Sequence, residues 1–221
     1  MKLDFSIILN YIPAFGSALL VTLEVTVCSL LLGILISIPL SLCKISTWKP
    51  LQWFASFYTS IFRGVPLLVQ VFMMYFGVPL VLPVKLTAFQ AGTIVFAMNS
   101  AAYISESMRG GIKAIDRGQY EAAMALGVRY GAMMKDIILP QAIKSVMPSL
   151  VNEFISLLKN TTLISSIGLV DILRVGQQIQ SRTYRAFEPF FVIAVFYYIL
   201  VMVLSFLGKL LERWVNKSDR H

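Results

Sequence analysis

Glu153 is an acid set seven residues into an apolar stretch that begins near residue 146, and ionisable groups at such depth are rare. The same stretch also carries Asn152, Ser156, Lys159, Asn160, Thr161, Thr162, Ser165 and Ser166. Asn152, Ser156 and Lys159 fall at i, i+4 and i+7 and share one helical face, with Glu153, Ser156 and Asn160 on the adjoining stripe. A helix of this composition must face protein or water rather than hydrocarbon. Hydrogen bonding between helices is one use for the stripe, and lining a route for a polar solute is the other. For Glu153 the second use fits better.

Depth brings further residues to the same level. Asn99 lies nine residues from the inner end of an earlier apolar stretch, roughly 14 Å by helical rise, and Glu153 lies roughly 10 Å from the same side. Asn99, Ser100, Tyr103 and Glu153, with Ser156, are therefore candidates to border a polar pocket that could hold a zwitterion. Glu153 suits an α-amino group or a cationic side chain, and one carboxylate does not choose between them. Arg63, Pro66, Glu106 and Lys159 are candidates for structural or gating roles. Arg63 and Glu106 sit near the inner ends of their stretches and read as snorkelling groups or a structural ion pair. Glu24 stands alone, midway along the first stretch.

Catalysis finds little support. The only histidine is His221, and no aspartate lies deep in an apolar stretch. Neither a zinc motif nor a serine–histidine pair is available, which argues against an intramembrane enzyme. No GxxxxGK[ST] loop is present, so the chain does not itself hydrolyse ATP. No cofactor or metal is called for.

The elements that must position these residues are long and apolar. At 57% hydrophobic and 14% charged residues, a water-soluble core is implausible for this single-domain, 221-residue chain. Five apolar stretches, at about 14–43, 51–82, 86–108, 146–170 and 189–211, predict an all-α polytopic membrane protein. The first two exceed the roughly 20 residues of an upright span, so tilt or a kink is expected. A break is expected at Arg63-Gly64-Val65-Pro66, where proline removes a backbone donor. The short turn after Lys44 makes the first two spans antiparallel neighbours, and residues 1–13 read as a short interfacial lead.

The net charge of +8 is mostly a topology signal. With the N-terminus outside, inner segments hold Lys44, Lys49, Arg109, Lys113, Arg117, Arg129, Lys135, Lys144, Lys209, Arg213, Lys217 and Arg220, against Lys2, Lys85, Arg174, Arg182 and Arg185 outside. Twelve against five gives an N-out, C-in arrangement. No basic–aromatic stripe accompanies the charge, so a nucleic-acid partner is not expected. Cys28 and Cys43 lie about 22 Å apart along one helix and cannot bridge.

Between the third and fourth stretches lies an inner loop, about 109–145. It predicts a helix over 119–126 stopped by Gly127 and a second over 133–139 stopped by Pro140. Glu121, Ala122 and Ala123 supply a helix former and two small side chains that let a partner surface approach closely. The polar segment 171–188 predicts a short helix lying on the membrane.

The pattern Glu121-Ala122-Ala123, three residues, Gly127, nine residues, Ile137-Ile138-Leu139-Pro140 resembles the EAA loop of type I importer permeases of the ATP-binding-cassette class. The flanks resemble the polar amino-acid group of that class: Phe62-Arg63-Gly64-Val65-Pro66-Leu67-Leu68-Val69-Gln70, Ala102-Tyr103-Ile104-Ser105-Glu106, and Asn152-Glu153-Phe154-Ile155-Ser156 running on to Leu163. Val65 stands where that group often has threonine, and Lys159-Asn160-Thr161-Thr162 replaces the commoner Lys-Asp-Thr-Ser. The resemblance covers about residues 62–173. It implies a five-span subunit in a bacterial inner membrane that pairs with itself or a close relative. It also implies a cytoplasmic ATPase dimer docked on the Glu121–Gly127 turn and an external solute-binding protein that delivers the amino acid. Pro140 belongs to the same coupling pattern.

Two transport readings compete with this. An ion-gradient carrier predicts internal inverted repeats, which the sequence lacks. A channel predicts flux without ATP.

Overall fold

A computed structural model describes residues 3–216, with the side chain of residue 216 left aside; Lys2, Lys217, Arg220 and His221 lie outside the described residues. A 3₁₀ turn (Phe5–Tyr11), capped by the Asp4 carboxylate accepting from the Ser6 N–H, leads into α1 (Ile12–Ile45). Pro13 sits at the start of α1, where its missing N–H costs nothing. At 34 residues, α1 is about 51 Å long, well beyond a 30 Å hydrocarbon layer. A turn of three residues then reverses the chain into α2 (Lys49–Gly64), which packs against α1.

The expected break follows. Val65 is extended, as a residue before proline should be, and the chain re-enters helix as α3 (Leu67–Phe72). A π-helical turn (Met73–Gly77) and a last short helix α4 (Val78–Val81) complete this segment. It leaves the axis of α2 at 103°, so residues 51–82 form a broken element, not one straight span.

α5 (Ala88–Lys113) opens with a reciprocal capping box between Thr87 and Gln90. It has the closest relation to α1. At Gly33 an added Cβ would stand 3.0 Å from the Ser100 Cβ and 3.2 Å from the Ala97 carbonyl, so only glycine lets these backbones approach this far. Ser29 above it donates to the Thr93 carbonyl.

The loop segment is mostly helical: α6 (Arg117–Ala125), α7 (Tyr130–Ala132), a π-helical turn (Met133–Ile138) and α8 (Leu139–Asn160). Pro140 stops nothing here. The helix runs unbroken from Tyr130 to Ile167, because a widened turn, in which the Leu139 N–H reaches back to the Met134 carbonyl, precedes the proline. The expected helix over 133–139 is therefore the first turns of the helix that carries Glu153. A 3₁₀ segment (Thr161–Ile167) ends at Gly168, whose φ of +91° favours glycine. α9 (Ile172–Thr183) and α10 (Phe187–Asn216) follow.

All the described regular structure is helical. By length and composition α1, counted with its lead, and α10 could each cross a membrane, and two bent pairs of helices could cross as broken spans. Leu31, Leu35, Tyr198, Met202, Phe206 and others stand exposed along α1 and α10, as lipid-facing side chains do. One core cluster joins Val25, Val71, Val95, Phe96, Leu157 and Ile164 between α1, α3, α5 and α8. A second joins the lead, α1, α9 and α10 through Ile8, Phe15, Ile172, Val175, Ile179 and Ile193. The buried face of α9 thus belongs to the protein.

Candidate functional site

The break after α2 leaves carbonyls without helical partners, and side chains from other turns bind them. Asn99 of α5 donates its Nδ2–H to the Phe62 carbonyl at 2.7 Å. Gln70 of α3 donates to the same carbonyl at 3.0 Å and to that of Val65 at 2.8 Å. The chain is thereby held open around Gly64–Pro66, and a polar cavity of about 480 Å³ forms between the break, α5 and α8.

Asn99, Tyr103, Glu153 and Ser156 line this cavity, together with Arg63, Pro66 and Asn160. Ser100 is fully buried beneath it and donates its hydroxyl to Glu153 Oε1. Close packing over Gly33 is what sets Ser100 at that point. The Arg63 guanidinium lies 5.1 Å from the centroid of the Tyr103 ring, a cation–π arrangement, and does not reach Glu106.

Glu106 has other partners. Lys44 donates to its Oε1 at 2.7 Å, and Arg109 holds its Oε2 through two nitrogens at 2.8 and 2.9 Å. Lys44 also donates to Ser105, and its side chain is only 2% exposed. An ion pair between Arg63 and Glu106 is therefore replaced by a Lys44–Glu106–Arg109 knot tying α1 to α5. Lys159 and Asn152 are exposed on α8 and do not line the cavity, and Glu24 is exposed on α1. Of the two predicted stripes of α8, the one with Glu153, Ser156 and Asn160 lines the cavity, and the other reaches it only through the shared Ser156.

At the loop, Gly127 has φ +72°, and two hydrogen bonds close the helix end: Val128 N–H to the Ala123 carbonyl and Gly127 N–H to the Met124 carbonyl. This is a Schellman motif, and α6 ends by Ala125 as a result. Glu121, Ala122, Gly127 and Pro140 are exposed, whereas Ala123 is 3% exposed and packs with Met133 and Ile138. Ala123 thus serves the loop's own core rather than a partner contact. Met124, Leu126 and Tyr130 stand well exposed beside it.

Residues 29–217 match the family described as the binding-protein-dependent transport system inner membrane component. The chain belongs to this family of membrane transport components. It is 47% identical over 219 residues to the arginine transport system permease protein ArtQ of Bacillus subtilis, covering 99% of this chain and 100% of that one. It is 48% identical over 194 residues to the putative glutamine transport system permease protein GlnP of Rickettsia felis, covering 88% and 89%. A crystal structure of an amino acid ABC transporter with histidines superposes with a TM-score of 0.91 at 42% identity, over 96% of this chain and 99% of that one.

In this transport component, sequence reasoning missed three contributors. Gln70 stands in the sequence as part of a motif, and a glutamine just past a helix break is suited to binding orphaned carbonyls. Lys44 follows the apolar stretch in the sequence but lies on α1, which runs further than that stretch. Asn160 lies on the predicted stripe with Glu153 and Ser156, and that position is the signal for its place on the cavity wall.

Proposed function

We propose that the chain is the five-span permease subunit of an ATP-driven importer for a polar amino acid. Its N-terminus is outside and its C-terminus inside. Two such subunits pair, a cytoplasmic ATPase dimer docks on the exposed face of α6, and an external binding protein delivers the solute. The observation that carries this reading is the polar cavity with Glu153 on its wall, in a molecule whose long helices expose hydrocarbon side chains. The names of the relatives, one for arginine and one for glutamine, support an amino acid as cargo.

Coupling follows from helix continuity. α6 packs through Ala123 on Met133 and Ile138, and these residues lie on the helix that continues to Glu153. Fifteen residues separate Ile138 from Glu153, about 22 Å of helix. When ATP draws the two ATPase subunits together, a push on α6 acts on α8 as on a lever and reshapes the cavity wall. The solute then changes its side of access.

The test is uptake into proteoliposomes holding the permease with its ATPase. Import that needs enclosed ATP and added binding protein, and that survives ionophores, supports the reading. Import that collapses with an ion gradient, or runs without ATP, contradicts it.

A further inference from the structure

The cavity has a charge balance of its own. Glu153 is the one acid on its wall and Arg63 the one base. Neither neutralises the other: Glu153 is bonded to the neutral hydroxyl of Ser100, and Arg63 rests on the face of Tyr103. Among the described residues no ion pair engages either group. A half-buried carboxylate without a counter-cation favours a cationic ligand group, and a guanidinium stacked by its face keeps its N–H edges available for a carboxylate.

Three uncharged groups complete the wall. Asn99 commits its Nδ2–H to Phe62 and keeps its Oδ1 as an acceptor. Ser156 and Asn160 have no described hydrogen-bond partner, so the Asn160 carboxamide offers both a donor and an acceptor.

From this balance we infer that the cavity selects an amino acid with an uncharged polar side chain, and that Asn160 is the residue setting that choice. The inference rests on the cavity being the solute site proposed above. Glu153 takes the α-ammonium, Arg63 takes the α-carboxylate, and Asn160 with Ser156 reads a carboxamide or hydroxyl. A cationic side chain brings a second positive group to a site with one carboxylate, leaving a charge unpaired out of water. An anionic side chain brings a second carboxylate to a site with one guanidinium, with the same result.

External binding proteins impose their own selectivity, so the test omits them. Glutamine, arginine and glutamate are titrated onto the purified permease–ATPase complex. Glutamine is expected to bind roughly tenfold or more tightly than either charged amino acid, the scale of one charge-assisted contact. Asn160→Asp, nearly isosteric, is expected to shift the arginine-to-glutamine affinity ratio toward arginine by roughly tenfold. Arginine binding the wild type as tightly as glutamine, or an unmoved ratio in Asn160→Asp, overturns the inference. If Glu153→Gln weakens every ligand in that case, the site stands and only the selectivity falls. If Glu153→Gln weakens none, or no amino acid saturates the wild type, the site fails with it.

Discussion

Ser100 is fully buried, packed over Gly33 with its hydroxyl on Glu153. Ser100→Ala is expected to weaken solute affinity by roughly threefold to tenfold, the worth of one hydrogen bond to a charged group, without loss of assembly with the ATPase. Affinity unchanged within error would show that the bond does not orient the carboxylate. Asp171 makes a different prediction. It caps α9 through the Arg174 N–H, but its other oxygen is buried without a partner, near Tyr197. Burial pushes its carboxyl up to about 6 from 3.8, against the pull of backbone N–H bonds and Arg174. The folded protein therefore holds this proton more tightly than the unfolded chain does. Its contribution to stability is fullest below about pH 4, falls as pH rises to about 6, and stays low above. Asn keeps the cap without the charge, so Asp171→Asn is expected to gain about 1–3 kcal/mol at pH 7 and little at pH 4, read by thermal unfolding in detergent. Glu153 and Asn99 were legible in the sequence because their depth could be counted along helices. The bond from Asn99 to Phe62 was not legible, since it depends on where a broken helix aims its carbonyls.

The loop helices separate two alanines that look equivalent in sequence. Ala123 faces Met133 and Ile138, and Ala122 faces outward. Ala123→Leu is expected to overpack that small core and destabilise the permease by about 1–3 kcal/mol. Ala122→Leu is expected to change the permease's own stability by under about 0.5 kcal/mol and to lower recovery of the ATPase with it. Equal effects of the two on stability would contradict the packing described. The glycine stop at 127 was legible because a Schellman end needs a residue at positive φ, and glycine takes it without strain. The proline stop at 140 was misleading for a physical reason. Proline ends a helix when its ring meets a regular turn, and here the preceding turn is widened. Side-chain type alone does not announce a π-helical turn.

At the scale of the whole molecule, the loop and the cavity lie at two points on one long helix, and the break after α2 supplies the opposite wall. Hydropathy was enough to read a membrane protein from the sequence. It could not give the 103° bend, which turns an over-long apolar stretch into the rim of a site. The proposed function has two separable parts, a carboxylate to hold the solute and a helix to move it. Glu153→Gln and Asn99→Ala, compared with wild type in proteoliposomes with ATPase and binding protein, separate them when uptake and ATP hydrolysis are followed together. The prediction is that Glu153→Gln loses uptake by roughly tenfold or more while ATP hydrolysis and assembly persist. Uptake of unchanged affinity and rate in both variants would contradict it.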